Sequence, residues 1–517
     1  MRISRQGVTA GGRLAAALAM LLAGVAAAGA APADDAAFLD ALTWGIAPSG
    51  YAELRRLGRA RWLAEQLHPP AAPRLPPAAQ AQVDAMAPQG TLRERIAALD
   101  AQSRAANAVQ DPEARRVALQ AYQEALNAAQ RSAVATTLLR ALSSPDQLRE
   151  RLTWIWFNRF NVHAAKANLR AIVGDYVDAA IRPNALGRFR DLLAATLRHP
   201  AMLRYLDNVD NAAGHLNENY ARELMELHTM GVGSGYTQAD VEALARILTG
   251  VGIDARPEDP KLPPERRADL IRDGLFAFNP ARHDYGDKVL LGRPIKGRGF
   301  AEVEEALDLL AAQPATARHV SRMLAAALTG TEPPESLVER LAGVFARTGD
   351  IAATVEALAR APEFARGPAP GLPAPGNPVP GFKDPMRYVL SALRLAYDTR
   401  VVLNTGPVQG WLNRLGEGLF NRSTPDGYPL APAAWNGPGQ MVVRFEIARQ
   451  IGSGPAGLFR PSNPDAVDEP AFPLLQNALY FSLLADTLGE ATRASLSRAV
   501  SPQDWNTLFL SSPEFMR

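Results

Sequence analysis

The chain has 517 residues, 47% of them hydrophobic but only 7% aromatic, with 55 basic against 53 acidic residues and no cysteine. That length supports a large core without covalent staples and suggests two or three domains. The missing cysteines exclude disulfides, thiolate metal sites, a cysteine nucleophile and covalent haem attachment through CxxCH, and the near-balanced charge gives no basic surface for nucleic acid.

Arg2, Arg5 and Arg13 precede an apolar run from Leu14 to Ala28, and Ala28-Gly29-Ala30 fits a small-x-small cleavage site. Residues 1–30 are therefore expected to be a secretory signal peptide cleaved near Ala30, with an uncleaved anchor as the alternative. The expected location is periplasmic or secreted, with no integral membrane segment after cleavage. Losing three arginines and no acid takes the formal charge from +2 to about −1.

Residues 31–134 read as an N-terminal helical region. Phe38, Leu39 and Leu42 lead to Gly45, Trp62, Leu63 and Leu67 belong to a further helix, and prolines from Pro69 to Pro77 interrupt the pattern. Residues 78–134 keep helical periodicity with little hydrophobicity, as expected of long, partly exposed helices.

Residues 135–366 are expected to form a central helical domain. Its most aromatic window, Leu152 to Phe160, holds Trp154, Trp156, Phe157 and Phe160. Such a window marks a buried packing point or a pocket wall, with Trp156 facing a ligand and Asn158, Arg159 and His163 beside it. His199, before Pro200, is expected at a turn.

His215 to Gly252 carries the densest set of polar groups. Stepping about 100° per residue from Asn217 puts Asn219, Arg222, Glu223 and Glu226 in one sector, opposite Tyr220, Leu224, Met225 and His228. Two carboxylates at i and i+3 with an arginine between suit a metal or acid/base face, and suit equally a salt-bridged solvated face. His228, on the apolar side, reads as a core histidine or a ligand, and can join the glutamates only if the helix distorts before Gly231. Gly231, Gly233 and Gly235 then supply a turn, and Thr237 with Asp240 caps a second helix. That helix offers Arg246 and little other positive charge, so a DNA-binding helix pair does not fit.

Residues 254–273 are expected to be an exposed loop. Phe276 and Phe278 suggest a short strand, with Val289 to Leu291 as its hairpin partner. Between them, His283 and Asp284 suit an oriented acid/base pair or a cation ligand, or a turn in which Asp284 accepts local backbone bonds. Residues 301–364 return to helix, with His319 inside one of them. Residues 367–381, GPAPGLPAPGNPVPG, are a Pro/Gly-rich linker. Residues 382–517 are expected to be a C-terminal helical region packing on the central domain, with a turn at Pro425-Asp426-Gly427. The fold class is mainly α, a multi-helix bundle-like architecture with a small β-hairpin and long loops. No Walker loop, GxSxG elbow, HExxH or dinucleotide fingerprint is present.

The block NENYARELMELHTMGVGSGYTQADVEALARILTG, from Asn217 to Gly250, resembles the signature of the bacterial domain-of-unknown-function family 1800. GRARWLAEQL, the Trp156-to-Phe160 window, HDYGDKVLLGRPI, QPATARHVSRML and TPDGYP follow the family's order across nearly the whole mature chain. Two positions depart from it: Arg159 stands where the family usually carries histidine, and Val251 where tryptophan is usual. A metal site that drew a ligand from the aromatic window would lose it here. The resemblance implies an exported, largely helical protein and a neighbour, the sulfatase- and phosphatase-like family 1501, as partner. It also marks Asn217, Asn219, Arg222, Glu223, Glu226, His228, His283, Asp284 and Lys288 as characteristic positions.

Two functional expectations follow. In the first, both blocks form one polar pocket walled by Trp156, in which Glu223 and Glu226 act as base or cation ligands and His283 as acid/base oriented by Asp284. Asn217, Asn219, Arg222 and Lys288 then hold an anionic envelope or extracellular substrate for hydrolysis or modification. A divalent metal is the one cofactor considered, with Glu223, Glu226, His228 and His283 as its candidate ligands. In the second, the same charges are a buried network in a non-catalytic scaffold or export partner of a family 1501 protein.

Overall fold

The Pro112–Ser143 helix begins where the sequence supplies both a cap and a rigid first turn. The Asp111 carboxylate accepts from the Ala114 amide at 2.8 Å, and Pro112 needs no amide partner at that position. The helix ends at Ser144-Pro145-Asp146, and the chain turns into the aromatic helix Gln147–Arg159. This computed structural model describes residues 32–71, 74–256, 259–365, 381–460, 467, 469–473, 475–477 and 479–517. The expected leader 1–30, and the linker 367–381 apart from Gly381, lie outside the described residues.

Gln147–Arg159 is the axis of the fold, because every residue from Gln147 to Phe157 is buried. Its polar side chains reach that interior only with partners. Arg149 pairs with Asp146 at 2.6 Å, Glu150 with Arg182 at 2.5 Å, and Arg151 donates to the Ala327 carbonyl at 3.0 Å. Trp156 has no exposed surface, donates to the Ala185 carbonyl at 3.0 Å, and packs on Phe160 and Phe189. It is core, and the expectation of a pocket wall at Trp156 is corrected by the surrounding rings.

Amphipathic helices surround this axis, and the chain is mainly α. Phe189–Arg198, Phe300–Ala311, Pro314–Thr329, Glu335–Thr348 and Ile351–Ala359 lie in the central region, Pro385–Tyr397, Pro438–Ser453 and Pro502–Leu510 beyond the linker. The C-terminal region is tied back by buried polar links: Arg387 pairs with Asp40 at 3.0 Å, and Arg394 donates to the Leu142 carbonyl at 2.9 Å. No helix among the described residues is long and apolar enough to cross a membrane.

The β structure differs from the single expected hairpin. β1 (Val251–Ile253), β2 (Ile271–Asp273) and β3 (Phe276–Phe278) form an antiparallel sheet in the order β1-β3-β2, with Phe278 opposite both Val251 and Ile271. β4 (Lys288–Leu290) pairs instead with β5 (Arg293–Ile295), Lys288 opposite Ile295. The reason is local turn chemistry. Leu291 and Gly292 both hold positive φ, 50° and 75°, which closes a two-residue hairpin before β4 can reach β3. The stretch 254–273, expected as loop, contains the short helix Pro264–Asp269 and β2.

Candidate functional site

The signature helix changes pitch in the middle. Asn219–Glu223 is α-helical, and Leu224–His228 widens into a π-turn. Its wider ladder is visible in the Met230 amide, which donates to the Met225 carbonyl at 3.0 Å, and in the Thr229 hydroxyl, which takes the Leu224 carbonyl at 2.7 Å. Single π-turns in α-helices recur at functional sites because they re-aim side chains at a local cost. The distortion does not bring His228 to the glutamates. His228 stays on the buried face, its ring 4.8 Å from Phe160 and 6.3 Å from Tyr220.

The polar residues of the block divide by what they touch. Asn217 caps the helix start, its carbonyl oxygen accepting from the Asn219 amide at 3.0 Å while its amide donates to the Asp207 carbonyl at 3.2 Å. Asn219 donates to the Leu206 carbonyl at 3.2 Å. Arg222 is engaged by Glu218 and Gln238, both at 2.9 Å, and by Glu226 at 3.7 Å. Those three side chains are building the loop, and Arg222 has no free fork for a substrate anion.

Glu223 differs. It is half-buried and makes no hydrogen bond or ion pair within the described residues. Burial, then the neighbouring Glu226 and Asp426 carboxylates, push its carboxyl above the usual range against the pull of Arg222. Two phenols flank the pair. Burial and the Glu223 and Asp426 charges push Tyr205 up to about 12, and burial and Glu226 push Tyr236 up to about 12. Both phenols are therefore protonated donors at neutral pH.

The wall opposite Glu223 is the TPDGYP loop, which the aromatic helix holds by its last turn. Asn158 donates to the Tyr428 carbonyl at 2.9 Å and accepts the Tyr428 amide at 2.6 Å. Asn161 donates to the carbonyls of Arg422 and Thr424, at 3.0 and 2.8 Å. Gly427, at φ 73°, lies so close that a Cβ would stand 2.0 Å from the Asn158 carbonyl oxygen. This explains the glycine in the motif, and it sets Asp426 toward the glutamates.

The second block does not open onto this face. The His283, Lys288 and Glu302 side chains have no exposed surface: His283 Nε2 lies 3.0 Å from one Glu302 oxygen and Lys288 Nζ 2.5 Å from the other. The His283 Nδ1 faces the Thr249 carbonyl at 2.8 Å. Asp284 orients Arg246, at 2.7 Å, rather than His283, and also accepts the Gly286 amide at 2.8 Å. Among the described residues no hydrogen bond or ion pair joins Glu223 or Glu226 to His283, Asp284 or Lys288, and the expected single pocket is replaced by two separate constellations. Glu302, not singled out in the sequence, is the centre of the second. Gly299, three residues before it in a capping-box spacing, was the available signal.

The four candidate metal ligands, Glu223, Glu226, His228 and His283, do not converge. No three His, Asp or Glu side chains among the described residues are placed to hold one cation. Val251, the second departure from the family pattern, is a buried β1 residue opposite Phe278. A cavity of about 610 Å³ exists elsewhere, between the Pro32–Leu42 and Pro385–Tyr397 helices and the C-terminal residues. None of the expected site residues lines it, and its buried Lys383 and Arg387 are already paired with Asp40 at 3.4 and 3.0 Å.

What fold and site define together is a mainly helical protein with a π-turned carboxylate helix braced by an asparagine-clamped loop. The chain belongs to the family described as protein of unknown function DUF1800, whose model matches residues 37–517. No curated protein and no solved structure matches it.

Proposed function

We propose that this protein is an enzyme that uses Glu223 as a general acid–base, assisted by Glu226, to hydrolyse or modify an extracellular or envelope polymer after export. One observation carries the reading. In a block whose other polar residues are committed to capping, bracing and ion pairs, Glu223 is a half-buried carboxyl without a partner, held protonated beyond the usual range beside a second carboxylate. A carboxyl whose pKa is raised by burial and a neighbouring carboxylate is suited to donate a proton near neutral pH. The Tyr205 hydroxyl donates to the Ser423 carbonyl at 2.8 Å and Tyr236 bonds Glu226, so both phenols brace the pair, and exposed Ser423 and Thr424 give the loop a polar rim.

An anionic group clamped by Arg222 and Lys288 is not part of this reading, because both cations are already neutralised. The test is turnover by purified protein across polysaccharide, peptide and ester panels, with Glu223→Gln and Glu226→Gln alongside. The expected result is activity on one class, lost on Glu223→Gln with no fall in melting temperature. Activity indifferent to both substitutions sinks the proposal.

The scaffold reading, with a family 1501 protein as partner, draws support from the sealed His283–Glu302–Lys288 triad. Buried ion groups of that kind fix a structure rather than turn over a substrate. Co-purification with such a partner, undiminished in Glu223→Gln and without turnover on any panel, favours it.

A further inference from the structure

We infer that the cluster of Arg159, Tyr220, His228 and His319 beneath the Leu224–His228 turn binds an oxyanion, the carboxylate or phosphate group of a small ligand. Four side chains from three helices contribute polar atoms that are buried and have no protein partner. These are Nη2 of Arg159, the hydroxyl of Tyr220, both ring nitrogens of His228 and Nε2 of His319. His228 is 1% exposed, so its two nitrogens cannot be accounted for as surface groups.

The sign of the charge selects the ligand. Arg159 has neither an ion pair nor a hydrogen bond to any described residue, and no carboxylate offsets its burial. A guanidinium does not shed its proton in a protein, so this charge remains and asks for an anion. Burial and then Arg159 hold both imidazoles neutral, so each presents one N–H to the site and Arg159 is its one charge. Arg159, Tyr220 and the two imidazoles together offer at least four donors, matching the four lone-pair positions of a carboxylate or the oxygens of a phosphate. A metal ion is opposed by the Arg159 charge, and an uncharged guest leaves that charge without compensation.

Gly231 shows that the packing is built around the histidine. It sits at φ 92° at the end of the π-turn, and a Cβ there would stand 2.5 Å from His319 Nδ1. The turn and the Pro314–Thr329 helix approach closely only because that position is glycine. Arg159 and His319 are each partly exposed, so the cluster borders the surface. The site stands whether or not Glu223 turns over a substrate.

The test is isothermal titration of the full chain with acetate, inorganic phosphate and sulfate, each at constant ionic strength against a chloride background. Saturable one-site binding is expected for acetate or phosphate, and their order identifies a carboxylate or a phosphoryl ligand. Arg159→Gln should weaken it by roughly 10- to 100-fold, the worth of one charge-assisted hydrogen bond. In wild-type protein labelled at histidine, the ring-nitrogen resonances of His228 and His319 should shift with the same saturation, a readout that needs no variant to fold. Absence of saturable binding by all three anions, resonances unmoved at saturation, or an Arg159→Gln affinity equal to wild type each overturns the inference.

Discussion

His283 and Glu302, nineteen positions apart, share a 3.0 Å hydrogen bond in the interior, and neither side chain has any exposed surface. Glu302 simultaneously takes Lys288 and the backbone amides of Arg298 and Gly299, at 2.6 and 3.0 Å from the same oxygen that faces His283. One carboxylate thus holds together β4, the His283 loop and the start of the Phe300–Ala311 helix.

Removing that carboxylate's charge strands Lys288. Glu302→Gln is expected to destabilise by about 3–5 kcal/mol, because a buried cation is left uncompensated. Burial pushes Glu302 up, but hydrogen bonds from His283 and Lys288 and their charge outweigh it and hold the carboxyl below its usual range. Its stabilisation is present above the unfolded value and is lost as pH falls through the lower folded value. Urea unfolding of wild type and variant from pH 7 down into the acid range checks both parts. The gap between them should narrow only in acid, and a gap independent of pH contradicts the linkage.

Helical content and the two-sided Asn217–His228 helix were legible because they rest on side-chain period, which is local. Tyr220, Leu224, Met225 and His228 are buried and Arg222, Glu223 and Glu226 are not, as 100° steps imply. The π-turn was not legible, since Gly231 at its end meets His319 from a distant helix. Pairing of His283 with Glu302, and of Asp284 with Arg246, was hidden for the same reason. A charge's partner is set by tertiary approach, and adjacency in the chain misleads when a loop turns successive side chains apart. The β4–β5 pairing rests on the positive φ of Leu291, a residue type that does not signal a tight turn.

Gly427 is expected to tolerate no side chain. Gly427→Ala combines a left-handed backbone angle with a Cβ 2.0 Å from the Asn158 carbonyl oxygen, a strain of about 1–3 kcal/mol. The effect should stay local, because the loop is held mainly by Asn158 and Asn161. Hydrogen exchange is the measurement: faster exchange at Tyr428, whose amide binds Asn158, with the Gln147–Arg159 helix unchanged. Asn158→Ala should mimic it, and the double variant should cost less than the two singles combined, since both break one clamp.

Glu223 should reveal itself through pH before any substrate is found. Its carboxyl is raised by burial and by Glu226, so the folded state favours the protonated form. The contribution to stability is full below the unfolded value and is lost as pH rises through the folded one. Glu223→Gln is therefore expected to be more stable than wild type at neutral pH, by less than about 1 kcal/mol given the solvent screening of a half-buried group. The advantage should vanish in acid. Paired thermal melts at neutral and acid pH decide it, and a variant less stable than wild type at neutral pH would show that the carboxylate has a structural partner.

His228 gives the opposite sign. Burial, and then Arg159, depress its imidazole to about 3 from an ordinary 6.5, so the unfolded chain takes up a proton that the folded one refuses. Stability is complete above the unfolded value and falls as pH drops from there toward the folded one, at about 1.4 kcal/mol per pH unit for one such group. His319, depressed to about 3 by burial, Arg159 and Arg322, adds a second contribution of the same direction. His228→Leu keeps a side chain against Phe160 and removes two unpartnered buried nitrogens, a change that is near neutral or stabilising at pH 7. Between pH 6 and pH 4 the variant should lose stability with a visibly shallower slope than wild type. Equal slopes would mean that the buried imidazole takes up its proton in the folded state as readily as in the unfolded chain, contrary to the depression.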